Sequence, residues 1–256
     1  MYKIDRAFMD GNPRYISTRI GFGEGLVQAG EKDSNVVALC ADLTESIQMQ
    51  DFKNKFGNRF IEVGVAEQNL VTVASGMARA GKIPFAASYA SFSPGRNWEQ
   101  IRTTICLNNM PVRLVGSHAG VTVGPDGATH QMLEDIAMMR TLPNMIVLAP
   151  GDAIEAKKAT IAMANLNKPS YVRLCRDKTA IFSTNESPFE IGKAYVLRSG
   201  TDVTLFGTGI MTVELLSAAK ILDSNGINVE VVHIPTIKPL DEKTILSSIE
   251  KTGRAI

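Results

Sequence analysis

The chain has 256 residues, 45% of them apolar and 21% charged, the proportions of an ordinary globular protein with room for a substantial core. Its formal net charge is +1 and no long basic or acidic block occurs, which argues against nucleic acid as a partner. The three scattered cysteines, Cys40, Cys106 and Cys175, show no metal-site spacing and read as buried reduced thiols; with no signal peptide and no membrane-length apolar run, the cytoplasm is the expected location.

Taken in chain order, short apolar runs predict strands at VVALCADL (36–43), FIEV (60–63), IPFAASYASF (83–92), PVRLVGSH (111–118), MIVLAP (145–150) and SYVRLCR (170–176). Helical spacing fills 67–80, 97–108, 130–141 and 152–165. Trp98, Ile101 and Ile105 mark the inner face of the second of these, and Leu133, Ile136 and Ala137 that of the third. Strands alternating with helices predict an α/β fold, a parallel sheet with helices on both faces, over residues 1–182. The Ser, Thr, Asn and Pro residues between 183 and 188 read as a linker into a smaller α/β domain, 183–256. There the pattern gives strands at KAYVLR (193–198), DVTLFGTG (202–209) and INVEVVHIP (227–235), with helices over 212–225 and 241–250. A further strand is expected to start at KTGRAI, so this domain reads as truncated. No internal repeat or low-complexity tract is present.

Open parallel sheets bind ligands beyond the carboxyl ends of their strands. Those ends here carry Asp42 and Ser46, then Glu67, Tyr89 and Phe92, His118 and Asp126, and finally Arg176. Glu67 lies in VGVAEQN (63–69), a strand-to-helix turn; it either complements the helix dipole as a first-turn acid or meets a ligand. Tyr89 and Phe92 could equally pack in the core, Arg176 lie on the surface, and Asp126 in PDG serve a turn. His233 reads as packing at a strand end. No His/Cys/Asp spacing supports a metal site.

The segments CADLTES, IEVGVAEQN, SYASFSPGRNWEQIR, GSHAGVTVGPDGATHQ and VRLCR, in that order from about Thr18 onward, resemble the C-terminal half of transketolases. That half comprises the pyrimidine-binding domain and the C-terminal domain of a thiamine-diphosphate enzyme. The resemblance implies that Glu67 hydrogen-bonds N1′ of the cofactor aminopyrimidine and favours the 4′-imino form that acts as base. It implies that Phe92 stacks on the pyrimidine with Tyr89 beside it, and that Asp42 lies near the positive thiazolium. Arg19, Ser46 and Arg176, with His118, would receive the phosphate of a sugar phosphate, and Asp126 the ketose 2-hydroxyl. His130 would shuttle protons or bind sugar oxygens, so Glu67, His118 and His130 are the implied catalytic set.

Two departures from the family pattern stand out. Transketolases carry a third aromatic three residues after Phe92, where this chain has Gly95. The diphosphate-binding GDG motif with its following asparagine is also missing, so an N-terminal transketolase subunit is the expected partner. That subunit would hold the diphosphate through Mg2+ or Ca2+, in an α2β2 assembly. The expected reaction is transfer of a two-carbon ketol unit from a ketose phosphate to an aldose phosphate. The alternatives are an enzyme similar to 1-deoxyxylulose-5-phosphate synthase, one similar to the β-subunit of a 2-oxoacid dehydrogenase, and a non-catalytic paralogue.

Overall fold

The apolar run Val36–Cys40 is buried along its whole length, as a strand covered on both faces must be. The computed structural model describes residues 2–256. A one-turn helix α1 (Arg6–Met9), strand β1 (Tyr15–Ser17) and helix α2 (Thr18–Lys32) precede that run, which is β2. Then come α3 (Gln50–Lys55), β3 (Phe60–Glu62), α4 (Glu67–Arg79) and β4 (Ile83–Tyr89). Helix α5 (Trp98–Gln100) continues as a π-helix over Ile101–Cys106 and leads to β5 (Arg113–Ser117). Next are α6 (Asp135–Arg140), β6 (Ile146–Leu148), α7 (Ala153–Ala164), β7 (Ser170–Arg173) and β8 (Lys178–Ala180). The remaining chain forms β9 (Tyr195–Arg198), β10 (Val203–Gly207), α8 (Met211–Ser224), β11 (Val229–His233), β12 (Thr236–Lys238) and α9 (Glu242–Thr252).

The main sheet has seven strands in the order β12-β6-β7-β5-β4-β2-β3, all parallel except β12, which runs antiparallel to β6. Alternate residues of β2 serve opposite faces. Val36, Ala38 and Cys40 pack with Phe22 and Leu26 of α2 and Ala156 and Met163 of α7. Val37 and Leu39 pack with Leu70 and Val71 of α4, Ile101, Ile105 and Met139. Helices therefore cover both faces, as the sequence predicts. A second sheet, β10-β11-β9, pairs β10 with β11 in parallel and β11 with β9 antiparallel. The end of the chain does align with a strand: Phe206 donates its N–H to the Ile256 carbonyl at 2.8 Å, and Ile256 donates back to Thr204 at 3.0 Å.

Three expectations are corrected. The helix expected over 130–141 starts only at Asp135, because Gly120 and Met132 exchange backbone hydrogen bonds of 2.7 and 3.2 Å that hold the preceding stretch in a loop. Helix α2 was not among the expected elements; Gly21, Gly23, Gly25 and Gly30 disguise it, glycine being among the weakest helix formers. Those glycines permit close packing: a Cβ on Gly25 would lie 2.8 Å from the Lys157 carbonyl of α7, and one on Gly21 would strike the carbonyl of Ala153. His233 does more than pack. Its Nε2 lies 2.7 Å from the Glu155 carboxylate and its Nδ1 2.6 Å from the Thr212 hydroxyl, all three residues being buried. Cys40, Cys106 and Cys175 are buried free thiols, and among the described residues no helix is long and apolar enough to cross a membrane.

Candidate functional site

Parallel strands β2, β3, β4, β5 and β7 end on one side of the sheet, and the loops that follow them carry the expected residues. Two of those residues adopt the left-handed backbone region, Asp42 after β2 (φ +58°) and His118 after β5 (φ +57°). Such conformations are uncommon outside glycine and gather at functional sites. The turn at Asp42 is fastened by Glu62. Its Oε1 accepts the N–H groups of Asp42 (2.7 Å) and Gly64 (3.0 Å), and its Oε2 accepts the Thr44 hydroxyl at 3.2 Å.

Glu67 is the first residue of α4 and is 2% exposed. Its Oε2 accepts a hydrogen bond from Arg96 Nη1 at 2.7 Å. The same guanidinium lies over the Phe92 ring, 4.8 Å from its centroid. Buried Asn97 braces the start of α4 from below, its Nδ2 donating to the Glu67 carbonyl at 2.8 Å and to Ser93 Oγ at 3.1 Å, while its Oδ1 has no partner. Gly95 lies in the tight turn between Phe92 and Arg96, where a Cβ would strike the Ser91 carbonyl. The third family aromatic therefore has no place here unless that turn opens.

Tyr89 joins this half to a second cluster. Its ring is near parallel to Phe92 (centroids 6.0 Å, 12°) and stacks on His118 (3.7 Å, 25°), and His130 meets Phe92 edge-on at 5.3 Å. Tyr89 and Ser46 share a hydroxyl–hydroxyl bond of 2.6 Å, and Ser46 Oγ lies 3.5 Å from His118 Nε2. His118 Nδ1 faces Ser117 Oγ at 2.9 Å, and His130 Nδ1 faces Thr129 Oγ1 at 2.9 Å. Arg19 donates to the Ser46 carbonyl, to the Arg176 carbonyl at 3.0 Å and to Ser17 Oγ at 3.3 Å. Burial and the neighbouring Arg176 charge both lower the Arg19 pKa. Burial first, then Arg19, Arg176 and His130, push His118 down to about 3, so its imidazole is neutral near pH 7. Two guanidiniums beside a neutral imidazole and two hydroxyls make a receptor for a small anion with hydrogen-bonding oxygens.

Eight of the ten expected residues are thus linked by ring contacts, hydrogen bonds or charge: Arg19, Ser46, Glu67, Tyr89, Phe92, His118, His130 and Arg176. Asp42 and Asp126 are exposed on neighbouring loops, and their carboxylates bond to none of the others among the described residues. Asp126 closes a 3-10 turn from Gly124, and Gly124 packs so tightly on the Arg176 guanidinium that a Cβ would collide with it. Arg96, Asn97 and Glu62 were not anticipated. The signal for Arg96 was its spacing, four residues after Phe92, which in a helical turn (Arg96 N–H to the Phe92 carbonyl, 3.0 Å) folds the side chain back across the ring.

A buried carboxylate at the edge of an aromatic face suits the aminopyrimidine end of thiamine diphosphate. For the diphosphate end, no group of three or more His, Cys, Asp or Glu side chains among the described residues is arranged to hold a metal ion. Fold and site define half of a thiamine-diphosphate-dependent enzyme. Residues 14–180 match the transketolase pyrimidine-binding domain and residues 192–256 the transketolase C-terminal domain. The chain belongs to the transketolase family. It is 46% identical over 236 residues to a protein of Methanocaldococcus jannaschii described as a transketolase C-terminal section, covering 91% of this chain and 75% of that one. It is 38% identical over 231 residues to the 6-deoxy-6-sulfo-D-fructose transketolase subunit SqwH of a Clostridium species, covering 90% of this chain and 72% of that one. Among solved structures, a split-gene transketolase described as an inactive beta4 tetramer superposes with TM-score 0.87 at 40% identity, covering 94% of this chain and 78% of that one.

Proposed function

We propose that this chain is the pyrimidine-side subunit of a split transketolase. It moves a two-carbon ketol unit from a ketose phosphate to an aldose phosphate. A partner chain brings the diphosphate-binding domain with Mg2+ or Ca2+, and the assembly is α2β2. The observation that carries this reading is the continuity of the site. Tyr89 links an acid-and-aromatic half (Glu67, Phe92) to a cationic half (Arg19, Arg176, His118, Ser46).

Thiamine diphosphate, when bound, supplies a nucleophilic carbon that takes up and passes on the ketol unit. Glu67 holds a proton at N1′, and Phe92 fixes the plane of the pyrimidine. Asp42 offsets the positive charge of the neighbouring ring. Arg19 and Arg176 orient the sugar by its terminal anion, Asp126 takes the 2-hydroxyl, and the neutral imidazole of His118, with the His130 ring, exchanges hydrogen bonds and protons with sugar oxygens. The arginine pair would also fit a sulfonate, which presents three oxygens on a tetrahedral centre as a phosphate monoester does but carries less charge. The 38% identity to a sulfofructose transketolase subunit makes a sulfonated donor the second reading.

The test is coexpression with a diphosphate-domain partner. Thiamine diphosphate is titrated calorimetrically against this chain alone and against the complex, with tight binding expected only of the complex. Turnover is then compared for xylulose 5-phosphate with ribose 5-phosphate, for a sulfonated ketose donor, and for pyruvate with glyceraldehyde 3-phosphate. Turnover of the pyruvate pair alone would replace ketol transfer by the synthase reaction.

A further inference from the structure

We infer that Arg96 is a latch that fills the seat of the aminopyrimidine and must leave Glu67 before the coenzyme can bind productively. This rests on the reading of Glu67 and Phe92 given above. A guanidinium is planar, offers N–H donors along its edge and stacks on aromatic faces. Arg96 uses both properties at once, donating from Nη1 to Glu67 Oε2 at 2.7 Å and lying 4.8 Å above Phe92. An aminopyrimidine, also planar and edge-polar, would compete for that same carboxyl group and ring. Tyr89 (6.0 Å, near parallel) and His130 (5.3 Å, edge-on) already pack on Phe92. The two occupants exclude each other.

The chemistry of Glu67 points the same way. N1′ of an aminopyrimidine is a hydrogen-bond acceptor, and an ionised carboxylate is acceptor only. A bond between them requires a proton on the carboxyl group, whose Oε2 is already taken by the Arg96 N–H at 2.7 Å. With Arg96 in place, Glu67 cannot perform its part. Leaving is undemanding for Arg96: its side chain is 50% exposed, whereas that of Glu67 is 2% exposed. The arginine thus rotates into water while the acid stays, and meanwhile the buried carboxylate of the empty subunit is not left uncompensated. Arg96 acts through Glu67 and is a positioning residue.

The experiment uses the complex with its diphosphate-domain partner and measures association and dissociation of thiamine diphosphate by stopped-flow fluorescence and calorimetry. Arg96→Ala is expected to bind the coenzyme about tenfold faster or tighter, a factor equivalent to about 1.4 kcal/mol. In the Glu67→Ala background the gain from Arg96→Ala is expected to vanish, because the latch then has no acceptor at position 67 to hold. Slower or unchanged binding by Arg96→Ala, or a coenzyme-bound structure with Arg96 still hydrogen-bonded to Glu67, overturns the latch. The underlying reading fails separately. If neither Glu67→Gln nor Phe92→Ala alters coenzyme affinity, the pyrimidine does not bind here and the latch falls with it. If both weaken binding and Arg96→Ala does not strengthen it, the latch alone is wrong.

Discussion

The phenol ring of Tyr89 lies face to face with the imidazole of His118, ring centroids 3.7 Å apart and planes 25° from parallel. Burial of the imidazole first, then the Arg19, Arg176 and His130 charges, disfavour the imidazolium form of His118, whose pKa falls to about 3. The unfolded chain, by contrast, protonates its histidine near pH 6.5. Between those values the unfolded state binds the extra proton, so the site's contribution to stability is full above about pH 6.5 and declines as pH falls toward 3. A His118→Gln variant is expected to flatten that part of the stability profile, read by urea unfolding from pH 7 to 4.

Glu67→Ala is expected to leave the fold intact, since Asn97 holds the start of α4 by the main-chain carbonyl of residue 67 and not by its side chain. In the reconstituted complex, deuterium exchange at C2 of the bound coenzyme should fall by roughly 100-fold or more, the range for loss of a general acid–base group. Exchange at the wild-type rate would remove Glu67 from the mechanism.

The cationic half makes a separate forecast. Removing a charge-assisted hydrogen bond forfeits about 1.5–3 kcal/mol, so Arg176→Ala should raise KM for a phosphorylated donor by roughly 10- to 100-fold. For a donor lacking the terminal anion, KM should hardly move. Steady-state kinetics with paired donors checks this, and an equal loss on both would show that Arg176 does not read the anion.

The two units share a buried hydrogen-bonded pair. Glu155 at the start of α7 meets His233 at the end of β11 at 2.7 Å, and Tyr2 donates to Glu155 at 2.6 Å. Burial would raise the Glu155 pKa, but His233, Tyr2 and the Gly151 N–H together hold it below its usual value. That stability is present above the ordinary glutamate range and is lost as pH falls through the lowered folded pKa. His233→Ala removes one of three partners of a buried carboxyl group, leaving Tyr2 and the Gly151 N–H, and should cost about 1–3 kcal/mol, measured by urea denaturation at pH 7. Glu155→Gln should cost less, because it removes the charge while keeping a polar group in place.

Glycines in two helices should respond in opposite directions. Gly25→Ala drives a methyl group into α7, 2.8 Å from the Lys157 carbonyl and the Thr160 side chain, and should destabilise by about 1–3 kcal/mol. Gly76 in α4 is exposed with open space around it. Gly76→Ala should therefore stabilise by up to about 1 kcal/mol through helix propensity. Melting of both variants by circular dichroism tests the pair.

Those glycines also explain where the sequence was opaque. The sheet was legible because runs such as VVALC and IVL are apolar on both faces, which among soluble folds a doubly covered strand requires. Helix α2 was not, because its closeness to α7 demands the residues that weaken a helical signal. The start of α6 was misplaced because Leu133 and Ile136 keep helical spacing even though pairing of Met132 with Gly120 holds the chain open. Glu67, Tyr89, Phe92, His118 and Arg176 could be placed because strand ends locate them, whereas Arg19, in helix α2, came only from the family resemblance. Arg96 was passed over because nothing in SPGRNW marks a charged residue as facing inward; its orientation depends on a tight turn that only Gly95 allows.

Strand β12 crosses from the second unit to pair with β6 at the edge of the first sheet. Severing the chain in the linker before β9 would strip β6 of that cover and leave a raw sheet margin open to pairing with any extended peptide. Gene fission or domain shuffling at this linker would yield a sticky fragment, so a viable break must fall elsewhere, and the two units should be inherited as one piece.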